Sequence, residues 1–409
     1  MRETALCGAL PEQHQRAVPL GVGQPRGVRR RLVRGRHTVI VRVPGPGCPE
    51  AARPGAVSAP AQNPRHRPKI AVTVCGLTRT DPWGNHRMTD GLVVRPLDGT
   101  GELDLFLGLT YTLDHEVADD LRTGRRRPEW LWVALRDGRL LGRIAWWTNK
   151  EGGEPLALDF FDLDPELPAG EAAEVGRRLL RTAMAAVVPA GTVPPEFNRY
   201  LPADWREVPE TRDRVELLFS LLAETGARPL VERLRLEWLP GTPVAERTGR
   251  LAFRPVRDRE DLLALMTPVM EGTLDAHGQA DLGEGLTLRE AAERHYDEEF
   301  PHYASPRAWW QVAELPGTGE PVGFVIPARN NYNPIIAYIG VLPAHRGHGY
   351  IDEILAEGTR ILADAGVPRV RAATDLGNVP MAAAFARAGY VNFQRQIDYV
   401  WDAPGASSS

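Results

Sequence analysis

The chain has 409 residues, more than one ordinary domain holds, so roughly two or three folded units are expected. A hydrophobic share of 43% and a charged share of 25% match soluble globular proteins and exclude a wholly disordered or fibrous chain. The three cysteines, Cys7, Cys48 and Cys75, all precede Met88, which leaves the rest without a disulfide scaffold, a cysteine nucleophile or a thiolate metal site.

Charge divides the chain. Residues 1–87 hold 15 Lys and Arg against 4 Asp and Glu, and the remainder holds 34 against 49. The first segment also carries 11 Pro and 10 Gly with few aromatic residues, a composition that cannot bury enough apolar surface to offset chain entropy. Residues 1–87 are therefore expected to form a disordered basic leader. Its run Val28 to Arg36 suits phosphate neutralisation, but the acidic body argues against a nucleic-acid partner. The use of 47 Arg against 2 Lys is that of a GC-rich genome and favours reading the leader as upstream sequence ahead of a start at Met88. No apolar run approaches the roughly 18 residues of a membrane span. The longest candidate, Leu179 to Val188, is broken by Arg181, and no signal-peptide pattern is present. A cytoplasmic protein with no membrane partner is expected.

From Gly91 the pattern becomes globular. Leu92 to Arg95 alternates as a strand, and Leu103 to Leu121 reads as a helix with its extension. Trp130 to Leu135 and Arg139 to Trp147 are apolar runs joined by Arg136-Asp137-Gly138, a hairpin signal. Ala157 to Leu163 follows as a strand, Gly170 to Val188 as a helix and Pro189 to Pro209 as an irregular stretch. Thr211 to Thr225 is a helix stopped by Gly226, and Leu230 to Leu239 is a strand.

The same order then repeats, which marks an internal duplication. Leu251 to Pro255 (LAFRP, against LVVRP at Leu92 to Pro96) is a strand, and a helix begins near Asp258. Ala308 to Leu315 and Pro321 to Pro327 form a hairpin. Ile335 to Val341 is a strand, Gly349 to Ala365 a helix, Arg369 to Thr374 a strand, Val379 to Ala388 a short helix and Asn392 to Trp401 the last strand. The junction is placed in Pro240 to Thr248. The expected domains are 88–245 and 246–404, with a flexible tail at 405–409.

The chemistry concentrates in Val341 to Ile351, VLPAHRGHGYI, where a buried strand meets a turn with Gly347 and Gly349 and a helix starts at once. Glycines let the backbone approach a ligand, and successive amides at a helix N-terminus cradle an anion, so a phosphate-bearing ligand is expected. Asn378 opens a short helix that ends in Gly389 and Tyr390. The turn RGHGYI, with Arg346 and Gly349 at fixed positions, resembles the acyl-coenzyme A signature of the GCN5-related N-acetyltransferases (GNAT). Asn378, Gly389 and Tyr390 resemble the family's second motif. The resemblance covers Leu251 to Ala403, and Ile351 departs from the small third residue of the signature.

This resemblance implies an α/β fold with two tandem GNAT-like domains, each a twisted mixed sheet flanked by helices, whose fourth and fifth strands splay to admit the coenzyme. The backbone of Ile339 and Val341 would pair with the pantetheine arm. The amides of Arg346, Gly347, His348, Gly349, Tyr350 and Ile351 would bind the pyrophosphate, and Asn378 would cap its helix and touch the cofactor arm. Gly340 offers a place for a strand bulge. The implied reaction is direct transfer of an acetyl group from acetyl-CoA, as co-substrate, to an amine acceptor, either a small molecule or a peptide. The alternative is an acyl-CoA sensor without turnover. No metal-binding spacing is present.

Two departures bear on catalysis. The family's acidic tyrosine is replaced by Phe385, and Ile335 to Val341 carries no carboxylate. Asp375 is the first choice for the base, ahead of Glu271, Asp275 and His277, and Tyr332 in the loop Arg329 to Pro334 is a substitute acid. In the first half, aligning Leu163 on Val341 puts Pro168 at Arg346 and Glu171 at Gly349, and counting back from Gly226 puts Val215 at Asn378. Proline lacks an amide donor and a carboxylate repels phosphate, so this half reads as a degenerate copy.

Overall fold

The computed structural model describes residues 91–402, so the expectations for the leader at 1–87 and the tail at 405–409 lie outside the described residues. The first half runs β1 (Val93–Pro96), α1 (Leu103–Phe106), α2 (Asp114–Arg122), β2 (Leu131–Arg136), β3 (Arg139–Trp147), β4 (Ala157–Leu163), α3 (Ala169–Val187), β5 (Glu196–Pro202), α4 (Pro209–Ala223) and β6 (Ala227–Trp238). The second runs β7 (Ala252–Pro255), α5 (Arg259–Val269), α6 (Ala276–Gly283), α7 (Leu288–Glu299), β8 (Gln311–Glu314), β9 (Pro321–Arg329), β10 (Pro334–Val341), α8 (Tyr350–Asp364), β11 (Val370–Asp375), α9 (Val379–Arg387) and β12 (Val391–Trp401).

Local chemistry explains most of these boundaries. Asp137 and Gly138 both adopt positive φ, as a two-residue hairpin turn between β2 and β3 requires. Asp258 caps α5 by accepting from the Asp261 amide, and Thr287 with Glu290 forms a capping box on α7. The expected helix over Leu103 to Leu121 is instead two helices, α1 and α2, parted at residues 107–113. The stretch expected to be irregular between Pro189 and Pro209 contains β5, where Phe197 and Leu201 turn inward and the flanking prolines stay at or outside the strand's ends.

Among the described residues, twelve strands join one sheet in the order β1-β2-β3-β4-β5-β12-β6-β11-β10-β9-β8-β7. The two halves therefore exchange their last strands. β12 lies antiparallel against β5, β6 lies antiparallel against β11, and β6 and β12 pair with each other along the midline. The registers mirror this: Asp375 stands opposite Arg233, and Tyr200 stands opposite Gln396. One apolar cluster sits under the first half around Ile144, Phe160 and Leu179, and others lie under the second around Val325, Ile354 and Phe324. Breaking the halves apart would expose both the edges of β5 and β11 and these clusters, so the exchange makes the halves depend on each other. Among the described residues no helix is long and apolar enough to cross a membrane.

Candidate functional site

In each half, two parallel neighbouring strands separate soon after they meet. β10 and β11 pair only at Ile335 and Arg371, and β4 and β5 only at Ala157 with Glu196 and Leu158 with Phe197. A bulge accompanies each opening, at Ala337 in β10 and at Asp159 in β4, the same distance before Val341 and Leu163. The expectation of a bulge at Gly340 is thus corrected. Gly340 is small for another reason, because a Cβ there would sit 2.7 Å from Val269 Cγ1 on α5.

Beyond the opening of β10, the chain makes the glycine turn and enters α8. Gly347 has φ 83° and Gly349, the N-cap of α8, has φ 74°, left-handed values that favour glycine. None of the amides of Gly347, His348, Gly349, Tyr350 and Ile351 donates a hydrogen bond within the described residues. A Cβ at either glycine would meet nothing within 4 Å, so the cradle opens to solvent. The Arg346 side chain fixes the turn: Nη1 donates to the Glu271 carbonyl at 2.8 Å and Nη2 to the Val269 carbonyl at 2.9 Å. Arg250 reaches from β7's N-terminal side, donating to the His348 carbonyl and lying over the Tyr350 ring.

The other expected site residues lie elsewhere. Asn378 caps α9, accepting from the Met381 amide. Asp375 ends β11 with both oxygens engaged: Oδ1 is 3.0 Å from Arg233 Nε, and Oδ2 accepts from the Ala276 amide at 2.6 Å. Tyr332 points into the first half, donating to Asp120 and accepting from Trp147 Nε1, both at 2.7 Å. Burial and the charge of Asp120 hold its phenol well above the ordinary range. Phe385 is buried in the core against Tyr390.

Two histidines flank the opening of the second half. His277, at the start of α6, bonds Glu196 of β5 at 3.1 Å. Burial alone would depress this imidazole, but the Glu196 hydrogen bond and charge outweigh it and push it up to about 9. His295, on α7, lies with its ring centroid 4.6 Å from that of Tyr338 in β10. Its Nε2 is buried without a hydrogen-bond partner. Burial pushes this second imidazole down, against the opposing pull of Glu299, Asp275 and Asp281. Nothing in the local sequence around His295 signals this, because the neighbour that matters, Tyr338, is brought by the fold.

Residues 281–390, from within α6 to the start of the last strand, match the model of the acetyltransferase (GNAT) family. A GCN5-related N-acetyltransferase from Sphaerobacter thermophilus resembles 78% of this chain over 98% of its own length, with 15% identity and a TM-score of 0.50. A tandem GNAT protein from the clavulanic acid biosynthesis pathway is aligned over 77% of this chain and all of its own, at 16% identity and a TM-score of 0.43. A GCN5-related N-acetyltransferase from Kribbella flavida covers 71% and 94%, at 13% and 0.42. No curated protein sequence matches the chain. Residues 281–390 thus carry the sequence pattern of a GNAT domain, and the chain over most of its length shares the fold of the Sphaerobacter thermophilus protein.

Proposed function

We propose that the second half transfers an acetyl group from acetyl-CoA to an amine in the cytoplasm. The observation that carries this reading is the row of five amides from Gly347 to Ile351 that donate to nothing among the described residues, beside a sheet that opens. A helix N-terminus of this kind holds a diphosphate without a lysine. The edge of β10 beyond Ile335, free of β11, is where the pantetheine arm would lie, along Ile339 and Val341. No metal is needed for this chemistry.

The amine nitrogen attacks the thioester carbon, the C–S bond breaks, and the thiolate departs. An alkylammonium must first lose a proton. His295 suits that step, since its free Nε2 beside Tyr338 is held neutral by burial. His277, kept cationic by Glu196, suits the opposite step of protonating the thiolate. Asp375 then serves as a positioning residue that holds α6, and with it His277, through the Ala276 amide. The Arg346 amide is spent on the Pro343 carbonyl, so Arg346 serves the cradle through its side chain, which braces the turn.

The test is release of free thiol from acetyl-CoA in the presence of primary amines, namely diamines, amino sugars and lysine-containing peptides, alongside calorimetry of coenzyme binding. Turnover with any amine supports transfer. Coenzyme binding without thiol release across the panel favours the sensor, a reading to which the burial of Phe385 at the family's acid position lends weight.

A further inference from the structure

A cavity of about 1630 Å³ lies in the first half, where β4 and β5 part, and the Asn330 to Asn333 loop of the second half forms part of its wall. Most charged groups on its wall are already matched. Asp159 is clasped by Arg126, Asp162 by Arg143 and Arg199, and Asp164 by Arg139. Two are not. Glu116, on α2, has a side chain only 16% exposed and accepts no hydrogen bond, and the His115 imidazole on the rim stands 3.7 Å away. Burial, with Asp120 and Asp159 nearby, pushes its carboxyl up to about 7.

Arg235, on β6, is the counterpart. Its Nε is buried with no acceptor, its Nη1 meets only the neutral Gln396 amide oxygen at 3.1 Å, and its guanidinium lies 5.0 Å from the Tyr200 ring centroid. Glu116 and Arg235 form no ion pair, yet the charge of Arg235 reaches the Glu116 carboxyl. A cavity that keeps one anion and one cation apart and unmatched complements a ligand bearing both charges. The phosphate of a coenzyme is disfavoured, because Asp164, Glu166 and Glu171 crowd the start of α3.

We propose that this cavity binds a small zwitterion, a free amino acid or a short peptide, with its ammonium at Glu116 and its carboxylate at Arg235. The site is separate from the acyl-transfer cradle and does not depend on that reading.

The test is calorimetry on the full chain with glycine, L-leucine, L-lysine and glycylglycine, using butylamine and butyrate as single-charge controls. At least one zwitterion should bind one to one and at least about tenfold more tightly than either control. Whether the amino acids or glycylglycine bind better separates the two sources. Glu116→Gln and Arg235→Gln should each weaken that binding about tenfold or more, with coenzyme affinity unchanged. Zwitterions that bind no better than the controls, or variants that leave affinity untouched, overturn the proposal. If Arg235→Gln fails to fold, Glu116→Gln decides alone, because the Glu116 carboxylate holds no other group in place.

Discussion

Helices α3 and α8 each follow a bulged strand whose partner has peeled away, yet their first turns are chemically opposed. At α8 five successive amides donate to nothing among the described residues. At α3 the N-cap is Pro168, which has no amide hydrogen, the Glu166 and Leu167 amides are spent on Asp164, and Glu171 is paired with Arg136. The turn into α8 passes through two left-handed glycines, Gly347 and Gly349, whereas α3 is entered through Pro168 at φ −56°, so backbone and side chains together decide which helix an anion can use. The largest expected effect follows from this. Gly349→Glu should abolish coenzyme binding, at least about a thousandfold by calorimetry, because it adds negative charge against the diphosphate and strain at a left-handed φ. Retained affinity would erase the distinction between the two helices.

The openings themselves differ in the same sense. The bulge residue in the second half is Ala337, which leaves space, whereas in the first it is Asp159, held by Arg126 at 2.6 and 2.7 Å. Arg126 is fully buried and also bonds Asp120. The first half has thus placed a buried ion pair at the bulge, where the second has a methyl group. Arg126→Met should cost about 3–5 kcal/mol in chemical denaturation, since it strands the buried Asp159 carboxylate and leaves Asp120 to Arg125 and Tyr332 alone. A loss below about 1 kcal/mol would mean that the pairs contribute little.

In the second half, His295→Gln should lower kcat about a hundredfold or more while leaving coenzyme affinity unchanged. The acid limb of the wild-type pH profile should fall below pH 6.5, as a base depressed by burial requires, and should vanish in the variant. An unchanged profile would remove His295 from the chemistry.

Much of this was legible in the sequence because it is local. The glycine turn, the cap at Asn378, the hairpin at Asp137-Gly138 and the placement of Leu163 opposite Val341 all depend on neighbours within a few residues, and the bulges at Asp159 and Ala337 follow that alignment. What escaped is non-local. The exchange of β6 and β12 cannot be read from either strand, since both alternate equally well beside any antiparallel edge. Asp375 looks like a free carboxylate at a strand end until β6 brings Arg233 opposite it. Tyr332 looks like a loop phenol near the second half until the shared sheet delivers it to Asp120 of the first.

The smallest effect tests whether the halves share one proton-active site or two. His277 belongs to the second half and Glu196 to the first, so their pairing exists only because the strands are exchanged. The folded imidazole binds its proton up to about pH 9, above its ordinary value near 6.5. Stability from the pair is therefore fully present below about pH 6.5 and is lost as pH rises through 9. Glu196→Gln should destabilise the protein by about 1 kcal/mol at pH 6, a modest figure because the His277 side chain is 39% exposed and solvent screens the pair. The gap between wild type and variant should close by about pH 10, and the His277 resonance should titrate lower in the variant. A gap that stays constant with pH would mean that Glu196 acts only through packing, and that the two halves are joined by their strands but not by their charges.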